Sequence, residues 1–367
     1  MVNADVDERS ILVMNDLPPP TAIFRYAHDI HSCLPDQTRL FNIVYDEQRW
    51  KGYNEDSRVN GRFHMNKYLN FFLRSYAFSD IISLITRAIR SNGIIHYAYS
   101  GIRPFTHDIS QSVVTIHDNP NSLLNTDMYS TGDNGTIEHF LHRNFIRNQR
   151  ANIQRYTKFD FVLCDSNYVR NALIKFGFGG RIEVIFPPVS QSFYRISDKD
   201  ALRFELGLPT DKILVLSVSS NVKRKNLKMV KQVMDDLGNQ FKLVRIGFPV
   251  AGSLSFTNIS DELVNKVYNA CDLLLFPTLE EGFGYPIPEA FYTGLPVVSS
   301  DIEVVREVAG NAALLADPLD KNEIKRCVKE AQNARDDLIL KGLARLPLFD
   351  SQHFKARLTE LYSAVLN

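Results

Sequence analysis

The sequence predicts an α/β protein made of two doubly wound, parallel-sheet domains, and three observations carry that expectation. At 367 residues the chain exceeds the roughly 250–300 residues at which a single hydrophobic core stops growing. Short apolar runs alternate with helical patterns through both halves, as strand–helix–strand units of parallel sheets require. Between the halves stand Pro187 and Pro188, and adjacent prolines continue neither a helix nor a central strand. The expected division is a first domain over 1–190, a second over 191–348 and a terminal segment over 349–367.

In the first half the strand candidates are Ile11–Met14, Leu40–Tyr45, Gly93–Tyr97, Val113–Asp118, Phe159–Cys164 and Arg181–Phe186. Ligands of such sheets bind beyond the carboxyl ends of the strands, where His117 and Asp118 fall. Pro18, Pro19 and Pro20 after the first strand favour a stiff, extended segment. A helix is expected over Ser166–Phe176, capped by Ser166 and ended by Gly177. Between His142 and Lys158 the chain carries Arg143, Arg147, Arg150, Arg155 and Lys158 and no acid. Most of these fit one helical face. A solvated face accounts for such a stripe; peripheral contact with anionic lipid or a phosphorylated acceptor is the functional alternative.

The second half repeats the pattern with Ile213–Val218, Lys242–Gly247, Asp272–Phe276, Pro296–Ser299 and Ala312–Leu315. An amphipathic helix over Ser351–Leu366 follows. Lysine plus arginine equals aspartate plus glutamate at 42 each, so no global field argues for nucleic acid. Cys33, Cys164, Cys271 and Cys327 are far apart and form no C-x-x-C pair, which fits a reducing, cytoplasmic setting. No signal segment or membrane-spanning apolar run is read. The D-x-D strings, Asp5–Asp7 and Asp198–Asp200, do not end core strands, so no metal site is expected.

Two loops at strand ends carry the chemistry. In the first, Glu280-Glu281-Gly282-Phe283-Gly284-Tyr285-Pro286-Ile287-Pro288-Glu289-Ala290, glycines allow close approach to the main chain and the prolines suit a helix start near Pro286 or Pro288. Acids near a helix N-terminus also serve the helix dipole, worth about 0.3–1 kcal/mol each. A glycine-rich turn flanked by Glu281 and Glu289 additionally suits a polyhydroxylated ligand, since carboxylates accept several hydrogen bonds. In the second, Ser219-Ser220-Asn221-Val222-Lys223-Arg224-Lys225-Asn226, arginine can grip phosphate bidentately and lysine acts as a point charge.

The E-G-F-G-x-P-x-x-E-A pattern at 281–290, followed by Gly294–Ser300 and Glu307–Pro318, resembles the retaining glycosyltransferases of family 4. The resemblance is strongest over 272–318, weaker over 112–230 and faint in the first hundred residues. It implies the GT-B fold: two Rossmann-like domains facing across a cleft, with the terminal helix returning to the first. It implies a metal- and cofactor-independent hexosyl transfer from a nucleotide diphosphate sugar to a glycan or lipid-linked acceptor, in polysaccharide biosynthesis at an inner membrane face. Mannosyl- and rhamnosyl-type likeness points to GDP-mannose.

By the same resemblance His117 faces the donor sugar, Glu281 binds its hydroxyls, Glu289 binds ribose, and main-chain N–H groups of Gly282, Phe283, Gly284 and Tyr285 position the sugar. Arg224 and Lys225 would hold the diphosphate. Two departures stand out. The proline segment replaces a glycine-rich first loop, and Ser219 and Ser220 occupy slots where relatives often carry an arginine. An epimerase or phosphorylase-like enzyme of this fold, or a non-catalytic nucleotide-sugar-binding protein, are the alternatives.

Overall fold

The computed structural model describes residues 11–15, 22–44, 62–64, 93–100, 112–123 and 151–366. The triple-proline segment, Arg143, Arg147 and Arg150, and Asp5–Asp7 lie outside the described residues. By contacts, the described residues divide into one unit over 11–123, 151–188 and 351–366, and a second over 189–350.

The first unit holds seven strands: β1 (Ile11–Asn15), β2 (Thr38–Val44), β3 (Arg62–His64), β4 (Ile95–Tyr97), β5 (Ser112–Ile116), β6 (Phe161–Cys164) and β7 (Arg181–Val184). Their spatial order is β3-β2-β1-β4-β5-β6-β7, and every pairing is parallel. Chain order reverses between β1 and β4, creating the kind of switch point at which doubly wound sheets bind ligands. β4 and β5 are buried along their whole length, as strands covered on both faces are, so neither shows an inside–outside alternation.

Helix α1 (Ala22–Cys33) packs on this sheet through Tyr26, Ala27 and Ile30. Helix α2 (Asn167–Phe176) starts at Ser166, whose hydroxyl accepts from the Val169 N–H at 3.2 Å, and ends at Gly177 with φ 101°. The C-terminal helix Ser351–Leu366 lies in the same core, burying Phe354, Leu358, Leu361, Tyr362 and Val365. Their spacing of three and four residues makes one face of a helix. The returning segment thus begins at Ser351; Phe349 packs in the second unit, its carbonyl accepting from the Val189 N–H at 3.1 Å.

The second unit holds β8 (Ile213–Ser219), β9 (Phe241–Gly247), β10 (Leu254–Phe256), β11 (Leu273–Phe276), β12 (Val297–Ser300) and β13 (Ala313–Ala316). The order is β10-β9-β8-β11-β12-β13, again all parallel, with its switch point between β8 and β11. Around it run α3 (Lys199–Glu205), α4 (Leu227–Leu237), α5 (Asp261–Ala270), α6 (Pro286–Thr293), α7 (Glu303–Ala309), α8 (Lys321–Asn333) and α9 (Arg335–Arg345). Asp198 caps α3 through its carboxylate. Among the described residues no helix is long and apolar enough to cross a membrane.

Candidate functional site

The carboxyl ends of β8 and β11 bring both chemistry-bearing loops together. After β8 the chain makes a single 3-10 turn over Lys223–Lys225 and stops at Asn226, held at φ 55°. Asparagine tolerates that left-handed conformation better than most side chains. Its Nδ2 donates to the carbonyls of Pro277 (3.0 Å) and Pro318 (2.9 Å), while the Leu279 N–H donates to the Arg224 carbonyl at 2.7 Å. The basic loop is therefore clasped to the loop after β11.

Glu281 is the centre of that clasp, with 5% of its surface exposed. Arg224 Nη1 donates to its Oε2 at 2.9 Å, Lys225 Nζ to Oε1 at 2.6 Å and to Oε2 at 2.8 Å, and Thr278 Oγ1 to Oε1 at 2.8 Å. Those bonds use the roughly four acceptor positions of a carboxylate. Burial alone would raise the Glu281 pKa, but Lys225 and then Arg224 outweigh it and hold the carboxyl below its ordinary range. Lys225 Nζ also lies 5.6 Å from the centre of the Phe276 ring, a cation–π distance.

Gly284 has φ 95°, the left-handed region in which a side chain would be strained, and it turns the loop into α6. Pro286 opens that helix, where its missing N–H costs nothing. Phe283 is buried edge-on to Phe349, ring centroids 6.0 Å apart, so its side chain anchors the loop. Glu289, one turn into α6, is 4% exposed, and its Oε2 accepts from the Tyr268 hydroxyl at 2.6 Å.

In the first unit His117 follows β5. Its Nδ1 lies 2.6 Å from Asp165 Oδ2 and its Nε2 lies 2.8 Å from the Ala98 carbonyl oxygen. A carbonyl only accepts, so Nε2 carries a proton. Burial pulls the imidazolium pKa down, yet Asp165 and the Ala98 carbonyl raise it overall. Both ring nitrogens are thus engaged by the protein itself, so the ring as placed has no nitrogen left for a sugar hydroxyl. The Tyr26 ring stands edge-on to His117 at 4.7 Å.

Thr278, Tyr268, Asp165 and Asn226 are not among the residues that the sequence nominates. Thr278 and Asn226 adjoin the motif residues; Tyr268 and Asp165 are brought in by tertiary packing, and no local pattern marks them.

Residues 198–338 match the family of glycosyl transferases group 1. That match covers 141 of the 367 residues, all within the second unit. The O-antigen chain mannosyltransferase B of Escherichia coli is 32% identical over 107 residues, 28% of this chain and 28% of that protein. The similarity thus spans under a third of that relative. Sucrose-phosphate synthase from Thermosynechococcus elongatus superposes with a TM-score of 0.74 at 16% identity, covering 97% of this chain and 99% of that one. Anabaena Alr3699/HepE, solved with UDP and glucose, gives 0.73 at 17% identity, covering 97% and 100%. At such identities these two likenesses establish the shared fold, GT-B, alone. The clasp of Arg224, Lys225 and Glu281 and the Tyr268–Glu289 pair both fall inside the matched residues 198–338.

Proposed function

We propose that the chain is a retaining glycosyltransferase that moves a hexosyl group, mannose from GDP-mannose, to a glycan or lipid-linked acceptor without a metal. The observation that carries this reading is the clasp: a buried carboxylate held by Arg224 and Lys225 at a switch point within the residues that match the group 1 glycosyl transferases. The mannose assignment leans on the O-antigen mannosyltransferase relative.

In this reading the diphosphate draws Lys225 and Arg224 toward itself. That frees Glu281 acceptor positions for sugar hydroxyls, while Glu289, fixed by Tyr268, takes the ribose hydroxyls. The two cations then stabilise the negative charge that grows on the leaving diphosphate, and catalysis is mainly positioning and electrostatics. Main-chain N–H groups of Gly282 to Tyr285 would position the sugar.

The test is thermal stability against UDP-, GDP-, ADP- and dTDP-sugars. A donor at a hundred times its dissociation constant stabilises by about 2.7 kcal/mol. A GDP-mannose shift that Glu289→Ala abolishes supports the donor assignment, and a shift with another nucleotide alone overturns it. Activity lost to a chelator and restored by a divalent cation overturns the metal-free assignment.

One observation favours a non-catalytic nucleotide-sugar-binding protein: His117 is already satisfied by Asp165 and Ala98. A donor that binds but is neither hydrolysed nor transferred to any acceptor would decide for it.

A further inference from the structure

Arg245 is the largest side chain in the protein without exposed surface among the described residues. It lies on β9 in register with Ser217 of β8, and its guanidinium reaches toward the carboxyl edge of the sheet. Nε donates to the Phe248 carbonyl (3.2 Å), Nη1 to the hydroxyl oxygens of Ser217 (3.0 Å) and Ser219 (3.3 Å), and Nη2 to the Ser219 carbonyl (2.8 Å). Among the described residues no carboxylate pairs with it. Desolvation pushes its pKa down to about 10, which leaves it charged at neutral pH.

A buried cation opposed only by neutral dipoles is costly, and the location says what could offset it. Ser219 ends β8 and opens the loop carrying Arg224 and Lys225. The Ser219 hydroxyl oxygen accepts from Arg245, so its own proton is directed away from the guanidinium, and it has no acceptor among the described residues. Ser219 is partly exposed and Ser220 is exposed. A positive charge lies directly beneath an outward-donating hydroxyl, on the edge where doubly wound sheets take their ligands. These two serines also fill the slots where the sequence resemblance leads one to expect an arginine.

We propose that Arg245, acting through Ser219, completes the diphosphate site of the second unit, so that a cation from the neighbouring strand replaces one absent from the β8 loop. This rests on the nucleotide-sugar reading above. Arg245 is a positioning residue here: it orients the Ser219 hydroxyl and adds positive potential from below, while Arg224 and Lys225 act from the loop.

The experiment is calorimetric titration of UDP, GDP and ADP, each beside its phosphate-free nucleoside, into wild type, Arg245→Gln, Ser219→Ala and Arg245→Gln with Ser220→Arg. The expected result is a diphosphate affinity at least tenfold weaker in Arg245→Gln and several-fold weaker in Ser219→Ala. Nucleoside affinity should stay unchanged, and Ser220→Arg should restore part of the loss. Should Arg245→Gln fail to fold, Ser219→Ala decides, since it leaves the guanidinium bonded to Ser217 and to the two carbonyls. Diphosphate binding unchanged in Ser219→Ala, or in folded Arg245→Gln, overturns the inference while leaving the proposed function intact. Wild-type protein that binds none of the three diphosphates overturns both.

Discussion

The Tyr268 hydroxyl donates to Glu289 over 2.6 Å, joining the end of α5 to the first turn of α6 with both side chains buried. A hydrogen bond to a charged acceptor contributes about 1.5–3 kcal/mol, and here it also fixes where the carboxylate points. Tyr268→Phe keeps the ring against Phe193, whose centroid is 5.5 Å away, but removes that bond. On the proposed function, the expected outcome is a donor KM raised several-fold with kcat less affected; independently of it, a loss of about 2 kcal/mol is expected in a urea titration.

Glu281 ties stability to acid. Its carboxyl is depressed in the folded state, so its contribution is fully present above the unfolded value near 4.3 and is lost as pH falls through the lower folded value. Wild type should therefore lose stability below about pH 4.3, and Glu281→Gln should lack that part of the loss. Glu281→Ala strands Arg224 and Lys225 in a nearly buried site and should cost about 3 kcal/mol even without substrate. Its effect on activity is thus separable from its effect on folding only at temperatures well below the variant's own Tm.

His117 behaves in the opposite sense. Its pKa is raised in the folded state, so the stability it contributes is fully present below about pH 6.5 and declines as pH rises through the folded value. Asp165→Asn should lower the imidazole titration, read by NMR of the ring protons, and flatten the stability profile on the alkaline side. An unchanged imidazole titration in that variant would show that Asp165 does not set the charge of His117.

Much of this architecture was legible in the sequence because buried parallel strands advertise themselves. Leu273–Phe276 and Ile213–Ser219 are apolar runs bounded by turn residues, and Ser166 with Gly177 marks both ends of α2. Arg62–His64 and Leu254–Phe256 were not legible. They are three-residue edge strands, too short for any periodicity to appear. At the candidate site, the residue types of two loops at strand ends, together with the family resemblance, nominate Glu281, Glu289, Arg224 and Lys225. Their mutual pairing was not foreseeable, because a one-dimensional pattern does not say that two cations and a carboxylate meet at the ends of neighbouring strands. Tyr268 and Arg245 escaped for the same reason, each sitting in an unremarkable helix or strand whose partner is chosen by the fold.

Gly247 offers a test of the β8–β9 edge. Its φ is 112°, and a Cβ there would stand 2.3 Å from the Ser219 carbonyl oxygen, the same atom that Arg245 Nη2 bonds. Gly247→Ala must push β8 and β9 apart at their carboxyl ends or twist the turn. The expected cost is about 1–3 kcal/mol of stability, with weakened nucleoside diphosphate binding; thermal unfolding with and without nucleotide measures both.

The path of the chain also sets an order of assembly. Phe354, Leu358 and Leu361 close a core that Ile11 and Val13 begin, while everything between Val189 and Asp350 forms the other unit. During synthesis at about 5–20 residues per second, the first sheet must wait on the order of ten seconds or more for its last helix to leave the ribosome. The Val189–Asp350 segment of the second unit can fold meanwhile. The half that is made first is therefore the half that is completed last, and for that interval its apolar face is open to chaperones and to misassociation with other nascent chains.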